Sequence, residues 1–152
     1  MIFKEELFLG ALVYVWHYDN PEEKIPVEIK GLFESEHGIV YIEFIMDGER
    51  CSRPMDDCET ILVSKEILHA NGWTGEGYIT YHLEDNMWLE YYLYESRLRK
   101  YSTVPDEWDN HFKERRIIFE TQCHSVHKFQ NALNQCAYGV KIKFYDKLWK
   151  KI

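Results

Sequence analysis

The segment Ile117–Phe144, IIFETQCHSVHKFQNALNQCAYGVKIKF, decides how the chain is read. Ile117 and Phe119 alternate with Ile118 and Glu120, which is the period of a strand. Ser125 then offers a hydroxyl to cap a helix. At about 100° per residue, Val126, Phe129, Leu133, Cys136 and Ala137 fall within one sector of the width expected for a core-facing stripe. Gly139 stops that helix, and Val140, Ile142 and Phe144 alternate with Lys141 and Lys143 as a second strand. Strand, capped amphipathic helix, strand is an α+β pattern.

Upstream, short strands dominate. Leu7–Trp16, Val27–Glu34 and Ile39–Ile45 read as strands, and Asp47-Gly48 signals a tight turn into a returning segment, Arg50–Thr60, interrupted by Pro54. Curved strands of this kind suggest a small SH3-like β-barrel or bent sheet over residues 1–62. A short helix follows, capped by Ser64 and closed by Gly72, with Val63 and Leu68 placed as a hydrophobic staple. Tyr78–Leu83 and Met87–Tyr94 form a hairpin across Glu84-Asp85-Asn86. One of its faces holds Met87, Leu89, Tyr91 and Leu93; the other holds Trp88, Glu90, Tyr92 and Tyr94, and is either covered by another element, the preferred expectation, or a contact surface. Between Glu95 and Glu114 the pattern fades. Pro105, Asp106 and Glu107 ahead of Trp108, Phe112, Arg115 and Arg116 suggest a short helix with acids first and bases last. The expectation is therefore a single domain over residues 1–152, β-rich to residue 62 and α+β beyond it, with antiparallel strands packed by the C-terminal helix.

Bulk properties narrow the function. A 152-residue chain is long enough to bury about 70% of the surface its unfolded form exposes. A formal charge of -8 repels phosphate backbones, which disfavours duplex nucleic acid. Basic residues nevertheless gather at Arg97-Leu98-Arg99-Lys100, at Arg115-Arg116 and from Lys147 to Lys151; solvated surface explains each run. Four cysteines, Cys51, Cys58, Cys123 and Cys136, lack close metal-site spacing, and with no secretory leader in view they are expected to be reduced thiols in a cytoplasmic protein. The apolar run Leu7–Trp16 is about half the length of a membrane span, so no membrane association is expected.

Three segments carry a resemblance. Val126-His127-x-Phe129-Gln130-Asn131-Ala132-Leu133 resembles the "VHQLQN" signature of short uncharacterised bacterial and prophage-encoded proteins. Leu9-Gly10-Ala11-Leu12-Val13 is similar to that family's "RIGN-V" strand, with Phe8-Leu9 and Ala11 departing from it. Ile61-Leu62-Val63-Ser64-Lys65-Glu66-Ile67-Leu68 with Asn71-Gly72-Trp73 is similar to its "IPLTEEWL…GF" segment, with Leu62 where proline is usual. The resemblance implies descent from mobile elements and an α+β fold; it supplies no reaction.

The side chains with a capacity for chemistry cluster on the last helix. His127, Gln130, Asn131 and Asn134 form a polar flank at i, i+3, i+4 and i+7 beside the apolar stripe. They are the candidate ligand-binding residues, but such a flank meets a sheet edge, where bonding to unpaired backbone groups is the preferred role. Cys123, His124 and His127 are soft donors of the kind zinc takes, with Cys51 or Cys58 as a fourth. Their spacing fits no established finger, and no metal or other cofactor is expected. Catalysis by a serine elbow or an activated cysteine lacks its context. Gly72–Gly77 lacks the lysine of a phosphate loop, and the acidic residues Asp47, Glu49, Asp56, Asp57 and Glu59 lack calcium-loop spacing. The leading expectation is a non-enzymatic protein that binds another protein, since the surplus Tyr and Trp are of the type that anchors interfaces and the negative charge suits a basic partner. The alternatives are a small-ligand or metal-binding protein or enzyme centred on His127, and a single-stranded nucleic-acid binder using strand aromatics with Arg97–Lys100.

Overall fold

The computed structural model describes residues 2, 4–17, 22–105 and 113–143. The protein is mixed α+β: three antiparallel sheets and few helices, and among the described residues no sheet closes into a barrel. It divides into two compact units. One comprises the chain up to Leu62 together with Ser125–Gln130, and the other Val63–His124 with Asn131–Lys143.

In the first unit, alternation of buried and half-exposed residues builds β1 (Leu12–Trp16), which pairs with β2 (Lys24–Glu28) on one side and β6 (Cys58–Glu59) on the other. The expected strand from Leu7 shortens because Lys4–Glu6 takes a 3-10 turn and Gly10 adopts a left-handed φ of 96°. The expected strand Val27–Glu34 divides after β2. β3 (Gly31–Glu34) joins β4 (Val40–Met46) and β5 (Glu49–Pro54) in a second sheet, and a 3-10 turn at Met55–Asp57 leads from β5 to β6. The β4–β5 hairpin turns at Asp47 and Gly48, with φ of 53° and 80°, the paired left-handed residues of a type I′ turn. Val13, Val15, Val27, Ile29, Ile42 and Phe44 are buried together beneath these strands.

The second unit starts with α1 (Lys65–Ala70), whose N-cap Ser64 accepts from the Ile67 amide at 3.3 Å, as that serine's position implies. Gly72 follows with a left-handed φ of 89°. Beyond it Thr74 bridges Thr80, and Gly75 is held where a β-carbon would lie 2.3 Å from the Tyr78 carbonyl oxygen, so only glycine fits. The glycines here serve turns. β7 (Tyr78–Glu84), β8 (Met87–Tyr92), β9 (Arg97–Pro105) and β10 (Lys113–Gln122) form a four-stranded sheet in the order β10-β9-β8-β7. Ile79, Leu89, Tyr91 and Leu98 are buried on its inner face.

Two sequence expectations fail in this unit. The segment after Glu95 forms β9, and Lys113–Arg116, expected at the end of a helix, lie in β10. Strand pairing overrides the local charge pattern there; residues 106–112 of the expected helix lie outside the described residues. The expected strand from Val140 does not form over Val140–Lys143. Ile142 is buried, but Lys143 is held by the Asn71 side chain, whose oxygen accepts its amide at 2.6 Å, and no strand pairs with it among the described residues. Phe144 lies outside them.

The last helix, α2 (Val126–Cys136), gives residues to both units. Val126, Phe129 and Leu133 are buried as their spacing requires, joined by Ala132 and Ala137, while Cys136 is half-buried. Ser125 does not cap the helix with its side chain. The Val126 amide donates to the Ile61 carbonyl at 2.7 Å, and the Ser125 Oγ is buried with no hydrogen-bond partner. No helix among the described residues is long and apolar enough to cross a membrane.

Candidate functional site

The polar flank of α2 separates into two pairs. Gln130 clasps the entry to β1: its Oε1 accepts from the Leu12 amide at 2.9 Å and its Nε2 donates to the Gly10 carbonyl at 3.0 Å. A planar amide offers one acceptor and one donor side by side, so a single side chain satisfies two main-chain groups. Asn131 and Asn134 are exposed, and Asn134 accepts from Lys141 at 3.2 Å. Of the four, Gln130 is thus fixed to the backbone and the two asparagines face solvent.

His127 is fully enclosed, at 0% exposure. Its Nε2 lies 3.6 Å from a Glu6 carboxylate oxygen, longer than a hydrogen bond, and neither ring nitrogen has a hydrogen-bond partner. The other Glu6 oxygen takes Lys128 Nζ at 2.9 Å. Burial pushes the imidazole pKa below 6.5, outweighing the pull of Glu6, and Lys128 lowers it further. The ring is therefore neutral at pH 7, and with no exposed atom it offers nothing to a dissolved substrate.

The soft-donor set does not assemble. Cys123 is buried, with its thiol pushed up to about 12 by burial and by Cys136, whereas His124 is exposed. Cys58 is likewise pushed up to about 12, by burial first and then by Asp57. Thiols held protonated are poor ligands and poor nucleophiles. Among the described residues no group of three or more His, Cys, Asp or Glu side chains is placed to hold a metal ion.

A different surface emerges on the outer face of the four-stranded sheet. Cross-strand register lays Tyr78, Tyr92, Arg97 and Gln122 in one row and Thr80, Glu90, Arg99 and Glu120 in the next. Tyr78 and Tyr92 stack with ring centres 4.3 Å apart, and Tyr94 meets Tyr92 edge-on at 5.7 Å. Tyr78 and Tyr94 remain 57% and 84% exposed, so the expected cover over the hairpin's second face is missing at these rings. Glu90 is only 4% exposed and accepts from Arg115 at 3.3 Å; Arg115 also lies 4.8 Å over the Tyr101 ring. Glu120 takes Arg97 at 3.3 Å and Arg99 at 3.2 Å, and Arg97 also pairs with Glu95.

The basic run is consequently split. Arg97 and Arg99 share the tyrosine face, while Lys100 donates to the Cys136 carbonyl at the end of α2, at 2.6 Å. A depression between the tyrosines and these arginines holds about 140 Å³, and a second, bounded by Leu7, Leu32, Phe33 and Val40 on the first unit, about 260 Å³. Both fall below the roughly 300 Å³ at which pockets start to enclose small ligands.

No protein-family model, curated protein or solved structure matches the chain. The three-segment resemblance thus rests on its own residues.

Sequence reasoning did not find the arginine half of this face, because that half requires Arg97–Pro105 and Lys113–Arg116 to be strands. A signal was present: Arg97, Arg99 and Tyr101 alternate with Leu98, Lys100 and Ser102, a polar-out strand in which charge masks the period.

Proposed function

We propose that the protein is a non-enzymatic protein-binding module, of the mobile-element descent its resemblance implies, and that the tyrosine–arginine face of the four-stranded sheet is its contact surface. The observation that carries this reading is the exposure of Tyr78, and of Tyr94 against the Tyr92 ring, beside Arg97 and Arg99 on one side of the sheet. Tyr and Arg are the side chains from which interface hot spots are built. The carboxylates of Glu90, Glu95 and Glu120 already engage the three arginines, leaving a locally neutral, hydrogen-bonding surface suited to a protein rather than to a phosphate backbone. The enclosure of His127 and the protonated thiols supply no reactive group in competition. Four free cysteines fit a reducing, cytoplasmic setting.

We also read the first unit as SH3-like. β2 and β3 are separated only by Ile29 and Lys30 yet pair into different sheets, as one sharply bent strand would, and a 3-10 turn precedes β6, which returns to β1.

The test compares wild-type protein with a Tyr78→Ser/Tyr94→Ser variant, immobilised and exposed to extract of the native host. A protein retained near one-to-one by wild type and lost by the variant, whose Tm is unchanged, is the expected result. Identical retention by both proteins refutes the assignment of the surface. Retention of RNA or single-stranded DNA that collapses steeply with salt would favour nucleic-acid binding instead.

A further inference from the structure

β10 is the outer strand of its sheet, ten residues long, and among the described residues no strand pairs with its free edge. Such an edge is a template for another strand, and exposed edges are normally kept short or charged throughout. Here the charges stop in the middle. Ile117 and Ile118 are 52% and 54% exposed, adjacent to each other at the register shift between Ile117 and Phe119.

The faces of β10 follow from its pairing with β9. Arg115 and Ile117 sit opposite Thr103 and Tyr101, and Glu120 and Gln122 opposite Arg99 and Arg97, all on the tyrosine–arginine face; Arg116, Phe119 and Thr121 belong to the other. The bulge is what places residues 115 and 120, an odd number apart, on the same side. A strand paired antiparallel with its own copy must match like faces, because directly opposed residues share a face. With the two-fold axis between Ile117 and Ile118, Arg115 meets Glu120 of the copy, Arg116 meets Phe119 and Ile117 meets Ile118, and the faces agree beyond the bulge. Sliding by one residue sets Arg116 against Glu120 but puts them on opposite faces.

We infer that β10 pairs antiparallel with β10 of a second copy of this chain, joining two four-stranded sheets into one of eight strands. The bulge rules out a slide of one residue, and among the registers that keep like faces together across it the Arg115–Glu120 charge match and the meeting of the isoleucines select this one. Each end of the pairing gains an Arg115–Glu120 contact between copies, continuous with the ion pairs that Glu120 makes to Arg97 and Arg99. The middle of the pairing brings together the four isoleucines. This inference does not depend on the proposed protein-binding role, since β10 self-pairs whether or not the tyrosine face binds anything.

Sedimentation equilibrium from micromolar to millimolar protein tests it. A concentration-dependent mass rising from 18.4 kDa to twice that value is expected. Ile117→Lys/Ile118→Lys, changing two exposed side chains and setting lysines against lysines, weakens association by at least about tenfold while leaving the circular dichroism spectrum unchanged. An Arg115→Cys/Glu120→Cys variant reports the register. Five residues apart on one strand, the two positions are about 16 Å from each other, too far for a bond within the chain. Oxidation therefore gives a covalent dimer whose peptide map joins 115 to 120. A monomer at every concentration, a dimer indifferent to the lysines, or a cross-link joining other positions overturns the inference.

Discussion

Replacing Gln130 with alanine removes both halves of the clasp on β1. The Leu12 amide loses its acceptor at 2.9 Å and the Gly10 carbonyl its donor at 3.0 Å. Two such bonds contribute about 1 kcal/mol each, and an amide left unsatisfied in a buried setting costs a further 1 kcal/mol or so. Leu12 is 2% exposed, so its amide has little water to turn to; Gly10 is half-buried and recovers part of its loss. The expected destabilisation is about 3 kcal/mol, or about 6–12 °C in Tm for a domain of this size. Gln130→Glu keeps an acceptor for Leu12 but sets a carboxylate oxygen against the Gly10 carbonyl, a repulsion alanine lacks, so it does not restore stability despite its matching shape. Urea denaturation gives the stability, and hydrogen exchange at the Leu12 amide gives the local effect. Asn131→Ala and Asn134→Ala, on the exposed part of the flank, stay within about 0.5 kcal/mol. A Gln130→Ala loss no larger than theirs, or an unchanged Leu12 exchange rate, refutes the clasp as the role of this side chain.

Ser125→Ala separates two readings of the helix start. Loss of a capping hydroxyl would cost about 1 kcal/mol, whereas removing a buried, unpartnered Oγ leaves stability equal or raises it by about 1 kcal/mol in thermal melts. His127 governs a pH response. Its folded pKa lies below the unfolded 6.5, so its contribution is present above 6.5 and is lost as pH falls through the folded value. Tm measured from pH 7.5 to 5.5 should drop, and a His127→Gln variant should drop less; parallel curves would contradict the assignment. Thiol chemistry offers a last check. Cys58 and Cys123, both pushed up to about 12, should resist a disulfide reagent at pH 8 until urea unfolds the protein, whereas the half-buried Cys51 reacts in the native state.

How far the sequence reveals this protein depends on whether the deciding interaction is local. The stripe of α2 was legible because Val126, Phe129 and Leu133 follow the helical period, and the α1 cap because Ser64 and Ile67 are three residues apart. Of the flank expected to meet backbone, only Gln130 does so, and its taking Gly10 and Leu12 was not legible, since the partners lie 120 and 118 residues away. Ser125 misled for the converse reason: its own main chain is held by distant partners, the Val126 amide by the Ile61 carbonyl and Ser125 itself by a bridge to Leu62, and its hydroxyl is left buried without a partner. The later half of β10 was legible from Ile117 to Glu120, but β9 and the Lys113–Arg116 end of β10 hid behind charged residues, whose place is decided by cross-strand carboxylates. His127 showed its position on the helix but not its enclosure, which Glu6 and Lys128 complete from opposite directions in the sequence.

The first unit is assembled from segments that leave the ribosome far apart in time. Its early strands are synthesised well before Ser125–Gln130, and the strands of the second unit emerge in between. Until Gln130 arrives, the Gly10–Leu12 corner waits without its anchor. Loop closure over such a span is slow, so vectorial synthesis leaves the amino-terminal sheets provisional while the carboxy-terminal sheet forms. A fragment ending at residue 62, made alone, should for the same reason behave as an incomplete body.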